Sequence, residues 1–144
     1  TTSSEAALPR AMECVEAFGV PRRIVSFILP LGYSFNLDGS TLYLSLAAIF
    51  VAQAAGVELS IGQQVTMMLT LMLTSKGVAG VPRAALVILA ATVASFNLPV
   101  EGVALILGVD AIMDMGRTMT NVVGNCLAAV VVAKWEGEFQ EVKS

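Results

Sequence analysis

Four stretches of this chain contain no charged side chain at all: residues 39–57, 59–75, 84–100 and 118–133. Between them the hydrophobic pattern is interrupted at a few polar positions, and these interruptions predict the elements. After Pro9, residues 10–19 read as a helix with charges spaced around it, ended by Gly19 and followed by Pro21-Arg22-Arg23 as an interfacial break. Residues 24–35 are apolar but reach only about two-thirds of the ~20 residues that a full span needs. They run into Asn36-Leu37-Asp38-Gly39, where a helix ends or unwinds. Ser40 is a candidate N-cap from which residues 41–55 resume an apolar helix up to Gly56, so residues 24–56 form one spanning helix broken in the middle.

The next block is different. Residues 61–74 and 84–96 are each too short to cross comfortably, and they are joined by Ser75-Lys76-Gly77-Val78-Ala79-Gly80-Val81-Pro82. This predicts a re-entrant helical hairpin over residues 61–97, because irregular backbone at membrane depth survives only where protein or a water-filled cavity surrounds it. Two short true spans are the alternative, and either returns the chain to the same side. Residues 102–135 are long enough for a tilted span with Trp135 as interfacial anchor, and residues 136–144 make a polar tail. The predicted fold class is therefore an all-α membrane protein: a broken transmembrane helix, re-entrant helical hairpins and a long final helix.

Composition narrows the class. The 144 residues are 56% hydrophobic and 13% charged, against roughly one-quarter charged in soluble domains. A net charge of −3 with eight Lys plus Arg leaves no basic stripe for a nucleic acid backbone. There is no His, and Cys14 and Cys126 are far apart, so neither a zinc site nor a disulfide framework is indicated. Both read as ordinary small apolar residues. The chain opens on Thr1-Thr2-Ser3-Ser4 without an initiator Met or signal segment, which reads as a fragment lacking its N-terminal part. Arg22 and Arg23 precede the broken helix and Lys134 ends the last one, while the loops at Glu58 and Glu101 lack Lys and Arg. The positive-inside rule then puts both ends of the spanning region on the cytoplasmic side of the membrane.

The candidate chemistry lies on the last helix. Asp110, Asp114, Arg117, Thr118, Asn121 and Asn125 fall within an arc of roughly 100° at helical spacing. Charges near the bilayer centre cost at least about 2.5 kcal/mol each, so this stripe faces the protein interior. Asp114 and Arg117 are open to two readings: a self-neutralising i,i+3 pair, or a site. In the second, the guanidinium fork holds a carboxylate, Asp114 receives an ammonium and Asn121 holds a second carboxylate, a set that suits an acidic amino acid. At the break, Asn36 and Asp38 sit where unwinding frees carbonyls for a hard cation such as Na⁺; the alternative is a simple turn capped by Asp38. Lys76 and Arg83 read as snorkelling to the aqueous surface rather than binding substrate.

Three motifs carry a resemblance: Asn36-Leu37-Asp38-Gly39-Ser40, the tip at residues 75–82, and residues 114–125, Asp-Met-Gly-Arg-Thr-Met-Thr-Asn-Val-Val-Gly-Asn. Together they resemble the dicarboxylate/amino acid:cation symporter family, the glutamate transporters, across essentially the whole chain. The resemblance implies that residues 1–20 are part of a first hairpin and that the whole is the core of the transport domain. It also implies a homotrimer formed through a scaffold absent from this chain. In substrate binding it gives Arg117 the side-chain carboxylate, Asp114 the amino group and Asn121 the α-carboxylate, with Ser4, Ser40, Thr118, Gly80 and Val81 completing the pocket. For Na⁺ it implies carbonyls of Gly32, Asn36 and Asn121 with Asn125 beside them, a second set at Ser34, Ser75, Lys76 and Val78, and a third at Asn36 and Asp38. No cofactor beyond the coupling cation, Na⁺ or H⁺, is implied, and no enzymatic activity.

Departures from the family pattern shape the expectation. Asn125 stands where strictly Na⁺-coupled members carry Asp, which weakens Na⁺ binding there. Glu5 replaces a frequent Ser and is the candidate proton carrier, and Leu44 stands where animal members have a Glu tied to potassium coupling. Dicarboxylate carriers lack the acid of Asp114, so the expected substrate is glutamate or aspartate, with C4-dicarboxylates as the alternative. Two remoter readings are an intramembrane aspartyl protease using Asp110 and Asp114, and a helical bundle with no ligand.

Overall fold

The computed structural model describes residues 4–78 and 84–140, and every regular element among them is helical. In chain order these are α1 (Ser4–Ala17), α2 (Arg22–Phe35), α3 (Asp38–Ala54), α4 (Ile61–Thr74) and α5 (Ala84–Ser95). A short α6 (Ala104–Leu107) and the long α7 (Asp110–Trp135) follow, with 3₁₀ turns at Ser75–Val78 and Val100–Val103.

α1 starts six residues before the predicted position and holds Pro9 inside it. Proline removes one hydrogen bond to the carbonyl four residues back. That carbonyl belongs to Glu5, and both residues are exposed, so water can satisfy it. The corner after α1 forms at Gly19, whose φ of +110° is open to glycine and strained for other residues. A side chain there would also strike the Gln140 carbonyl, whose own N–H donates to the Gly19 oxygen at 2.9 Å. The polar tail is thereby tied to the α1–α2 corner, with Phe139 against Phe18 at 5.7 Å between ring centroids and Glu138 accepting from Arg23 Nε at 2.9 Å.

The broken helix is present, and its break is shorter than predicted. Only Asn36 and Leu37 leave helical geometry, and together α2 and α3 span Arg22–Ala54, 33 residues long and apolar enough to cross a bilayer. Ser40 is not an N-cap: α3 begins at Asp38 and no side chain caps it locally. The free N–H of Gly39, one of the unpaired donors of a first helical turn, is satisfied from α7 by Asn121 Oδ1 at 2.9 Å.

α4 and α5 match the predicted arms closely. At 14 and 12 residues they are ~21 and ~18 Å long, short of a ~30 Å hydrocarbon core. α4 starts on a capping box in which Ser60 Oγ accepts from the Gln63 N–H and the Gln63 side chain accepts from the Ser60 N–H. The single helix predicted over residues 102–135 is instead divided. A 3₁₀ turn and α6 come first, Gly108 and Val109 interrupt, and α7 starts at Asp110. Glycine within a helix costs ~1 kcal/mol relative to alanine, and the chain uses Gly108 to turn before the polar face begins.

Two apolar clusters hold these helices. Leu44, Ala48 and Val51 of α3 pack with Met67, Leu71, Leu89 and Val93 of α4 and α5. Val25 and Leu29 of α2 pack with Val15 of α1 and with Ala129 and Ala133 of α7. Large apolar side chains also line the outside, among them Phe27, Phe35, Leu42, Ile112, Met119 and Trp135. Such a surface is stable in contact with lipid or further protein rather than water.

Candidate functional site

The polar stripe of α7 faces inward as its spacing predicts. Asp110, Asp114, Thr118, Asn121 and Asn125 are all buried, and the stripe continues as Ala129 and Ala133. It lies against the break between α2 and α3, where glycines permit close approach. A Cβ at Gly39 would stand 2.5 Å from the Arg117 carbonyl oxygen, one at Gly32 2.3 Å from Asn125 Oδ1, and one at Gly124 2.9 Å from the Asn36 amide. Helix backbone and amide side chains thus touch where any larger residue would hold them apart.

Arg117 donates from Nη2 to Asp114 Oδ1, and its guanidinium carbon lies 6.0 Å from the centre of the Tyr43 ring. Tyr43 in turn donates its hydroxyl to Asp110 Oδ1 at 2.7 Å. Each carboxylate therefore has its own partner, which argues against a protease dyad sharing one proton between Asp110 and Asp114. Tyr43 had no functional role in the sequence reading. A buried Asp one turn before the ion pair, needing a donor, was the signal that could have found it.

Asn121 sits one turn beyond Arg117, accepting from the Gly39 N–H and donating from Nδ2 to Ser40 Oγ at 3.1 Å. Ser40 is thus brought against Asn121 of α7 and does not cap α3. Asn36 presents its amide NH₂ to both Asp38 oxygens at 2.7 Å, and its amide oxygen lies 3.0 Å from the Asn125 side chain. The Gly32 carbonyl accepts the Asn36 N–H at 2.7 Å. Ser75 is buried with its hydroxyl on the Met72 carbonyl at 3.1 Å.

Lys76 is half-buried. Its ammonium donates to the Phe35 carbonyl at the end of α2, one of the unpaired oxygens of a helix C-terminus. This carries the start of the hairpin tip to the break, beside Ser34 and Asn36. Glu5 is exposed in the first turn of α1, so the burial on which its proton-carrying role was to rest is not present there. Ser4 opens α1 and is half-buried. Gly80, Val81 and Arg83 lie outside the described residues, and of Val78 only the backbone turn is described.

A long apolar helix broken at midlength and packed through its break onto a helix with a buried polar and ionisable face is an arrangement expected of a helical membrane protein. The chain belongs to the Sodium:dicarboxylate symporter family, whose profile matches residues 1–135. It is 58% identical over 144 residues, all of this chain and 33% of the relative, to the proton/glutamate-aspartate symporter of Escherichia coli (strain K12). It is 56% identical over 143 residues, 99% of this chain and 34% of the relative, to the proton/sodium-glutamate symport protein of Bacillus caldotenax. The C4-dicarboxylate transport protein of Bacillus subtilis (strain 168) is 52% identical over 145 residues, 100% of this chain and 34% of the relative. The chain thus spans about a third of the length of the relatives it matches.

Proposed function

We propose that this chain is the transport core of a symporter that carries glutamate or aspartate across the inner membrane together with H⁺, Na⁺ or both. The observation that carries the reading is the Asp114–Arg117 pair, with the carboxylate buried and the guanidinium side chain 11% exposed, and with Asn121 one turn on along α7 bonded to Ser40 of α3. Without substrate the two charges neutralise each other, as buried charges must. A zwitterion entering between them gives each a new partner of opposite sign: its side-chain carboxylate takes the guanidinium, and its ammonium takes Asp114. The number of ion pairs does not fall, so opening the pair is compensated by the guest itself. Asn121 and Thr118 receive the second carboxylate, and Tyr43, fixed by Asp110, keeps the guanidinium in place from its other face.

A C4-dicarboxylate is the second reading, favoured by the 52% identity to a C4-dicarboxylate transport protein. It offers no ammonium and would meet Asp114 as a like charge, so the amino acid fits better. Coupling cations have candidate positions at the break, with Asp38 as the charged ligand, and at the carbonyls of Ser34, Ser75, Lys76 and Val78. The remaining two-thirds of a relative's length would supply the scaffold of a trimer, with both ends of this spanning region cytoplasmic and α4–α5 as the external gate.

The test is uptake of radiolabelled aspartate into proteoliposomes holding the complete transporter, under proton and sodium gradients imposed separately. Arg117→Ala should abolish uptake under both gradients; uptake at the natural rate would remove the assignment.

A further inference from the structure

We infer that Glu138, Phe139 and Gln140 form a clasp that holds the C-terminal end of α1 to α7, and that through α1 they are positioning residues for the substrate set. The inference deepens the carrier reading above and rests on it only for the effect on substrate, which enters through Ser4 at the start of α1.

α1 and α7 end in the same way. Gly19, at φ +110°, donates its N–H to the Glu16 carbonyl at 3.0 Å while the Val20 N–H reaches the Val15 carbonyl at 3.2 Å. Gly137, at φ +69°, donates to the Lys134 carbonyl at 3.2 Å while the Glu138 N–H reaches the Ala133 carbonyl at 2.9 Å. These are the paired bonds with which a glycine closes a helix and turns the chain back. Val15 and Ala133 lie in one apolar cluster, so the two exit segments emerge side by side, and the Gln140 N–H donates to the Gly19 carbonyl at 2.9 Å.

Electrostatics gives the clasp a reason to close. α2 starts on Arg22 and Arg23 with no acidic residue in its first turn and no side-chain cap, and positive charge at that end opposes the helix dipole. Glu138 brings the missing carboxylate from the tail: one oxygen accepts from Arg23 Nε at 2.9 Å and the other pairs with Nη2, a two-pronged contact. An exposed ion pair alone holds little. Phe139 adds its contact with the Phe18 ring and takes the Lys134 ammonium 5.2 Å from its own ring centre. Three consecutive residues thus grip the corner by charge, ring and backbone. α1 has little other hold, since only Ala11 and Val15 of its described residues are buried.

The experiment is hydrogen–deuterium exchange on the complete transporter, with aspartate titrated into the same samples. Deleting the chain from Glu138 onward should speed exchange of the α1 amides about tenfold or more, as expected when a local opening becomes easier, and leave α4 and α5 unchanged. Arg23→Glu should act in the same direction, and Arg23→Glu combined with Glu138→Arg should restore protection, because the exchanged charges suit both helix ends. Aspartate affinity should fall several-fold in the deletion and in Arg23→Glu, and return in the charge exchange. Unchanged α1 exchange in the deletion, equal acceleration in α4 and α5, a charge exchange no better than Arg23→Glu alone, or aspartate affinity untouched by the deletion would overturn the proposal. Failure of the natural protein to bind aspartate would instead remove the carrier reading and leave the clasp to be judged by exchange.

Discussion

α3 is packed on two sides, and the two are made of different material. Toward α4 and α5 it presents Leu44, Ala48 and Val51 to Met67, Leu71 and Leu89, all apolar and closed to solvent. Toward α7 its first turns present Gly39, Ser40 and Tyr43 to Asn121 and Asp110 through directed hydrogen bonds. The apolar side can be filled by many combinations of side chains of similar volume. The polar side cannot, because each buried donor and acceptor there must keep its own partner or cost about 1–3 kcal/mol. Stability without direction lies on one side, and a charged, exchangeable set of partners on the other. Only the second has a chemical reason to open.

Substitutions on each side should separate these roles. The largest loss of stability is expected from Leu71→Ala on the apolar side, about 2–5 kcal/mol, seen as a lower melting temperature of the complete transporter with aspartate affinity unchanged. Gly39→Ala forces a methyl against the Arg117 carbonyl and should cost about 1–3 kcal/mol by overpacking. Here affinity should fall together with melting temperature, because the contact disturbed belongs to the site. Tyr43→Phe removes the hydroxyl that serves Asp110 and should cost about 1–3 kcal/mol, read as weaker aspartate binding in calorimetry while the ring contact to Arg117 is retained. The smallest effect is expected from Ser60→Ala at the α4 cap, about 1 kcal/mol, with no change in binding. Equal effects of Leu71→Ala and Gly39→Ala on affinity would erase the distinction between the two sides.

Much of this was legible in the sequence, and for one reason. Charge-free runs and the spacing of Asp110, Asp114, Arg117, Asn121 and Asn125 depend only on helical periodicity and the cost of burying charge, so they could be read without coordinates. The arms α4 and α5 followed from run length. What the sequence could not supply were tertiary substitutions for local rules. Ser40 looked like a cap because a helix start usually needs one, but Asn121 from α7 satisfies Gly39 instead. The carbonyl that the end of α2 offers to Lys76 comes from a residue 41 positions away and could not be read locally. Pro9 looked like a helix start, yet the affected carbonyl belongs to the exposed Glu5, where water can take the place of the lost bond. Tyr43 was invisible because its role depends on which face of α3 meets α7.

The central claim is that the Asp114–Arg117 pair is held in reserve for a zwitterion. Calorimetric titration of the complete transporter with aspartate and with succinate, which lacks only the amino group, tests it directly. Aspartate should bind tighter by ~10²-fold or more, and Asp114→Ser should erase that preference. Succinate binding as tightly as aspartate to the natural protein would contradict the account.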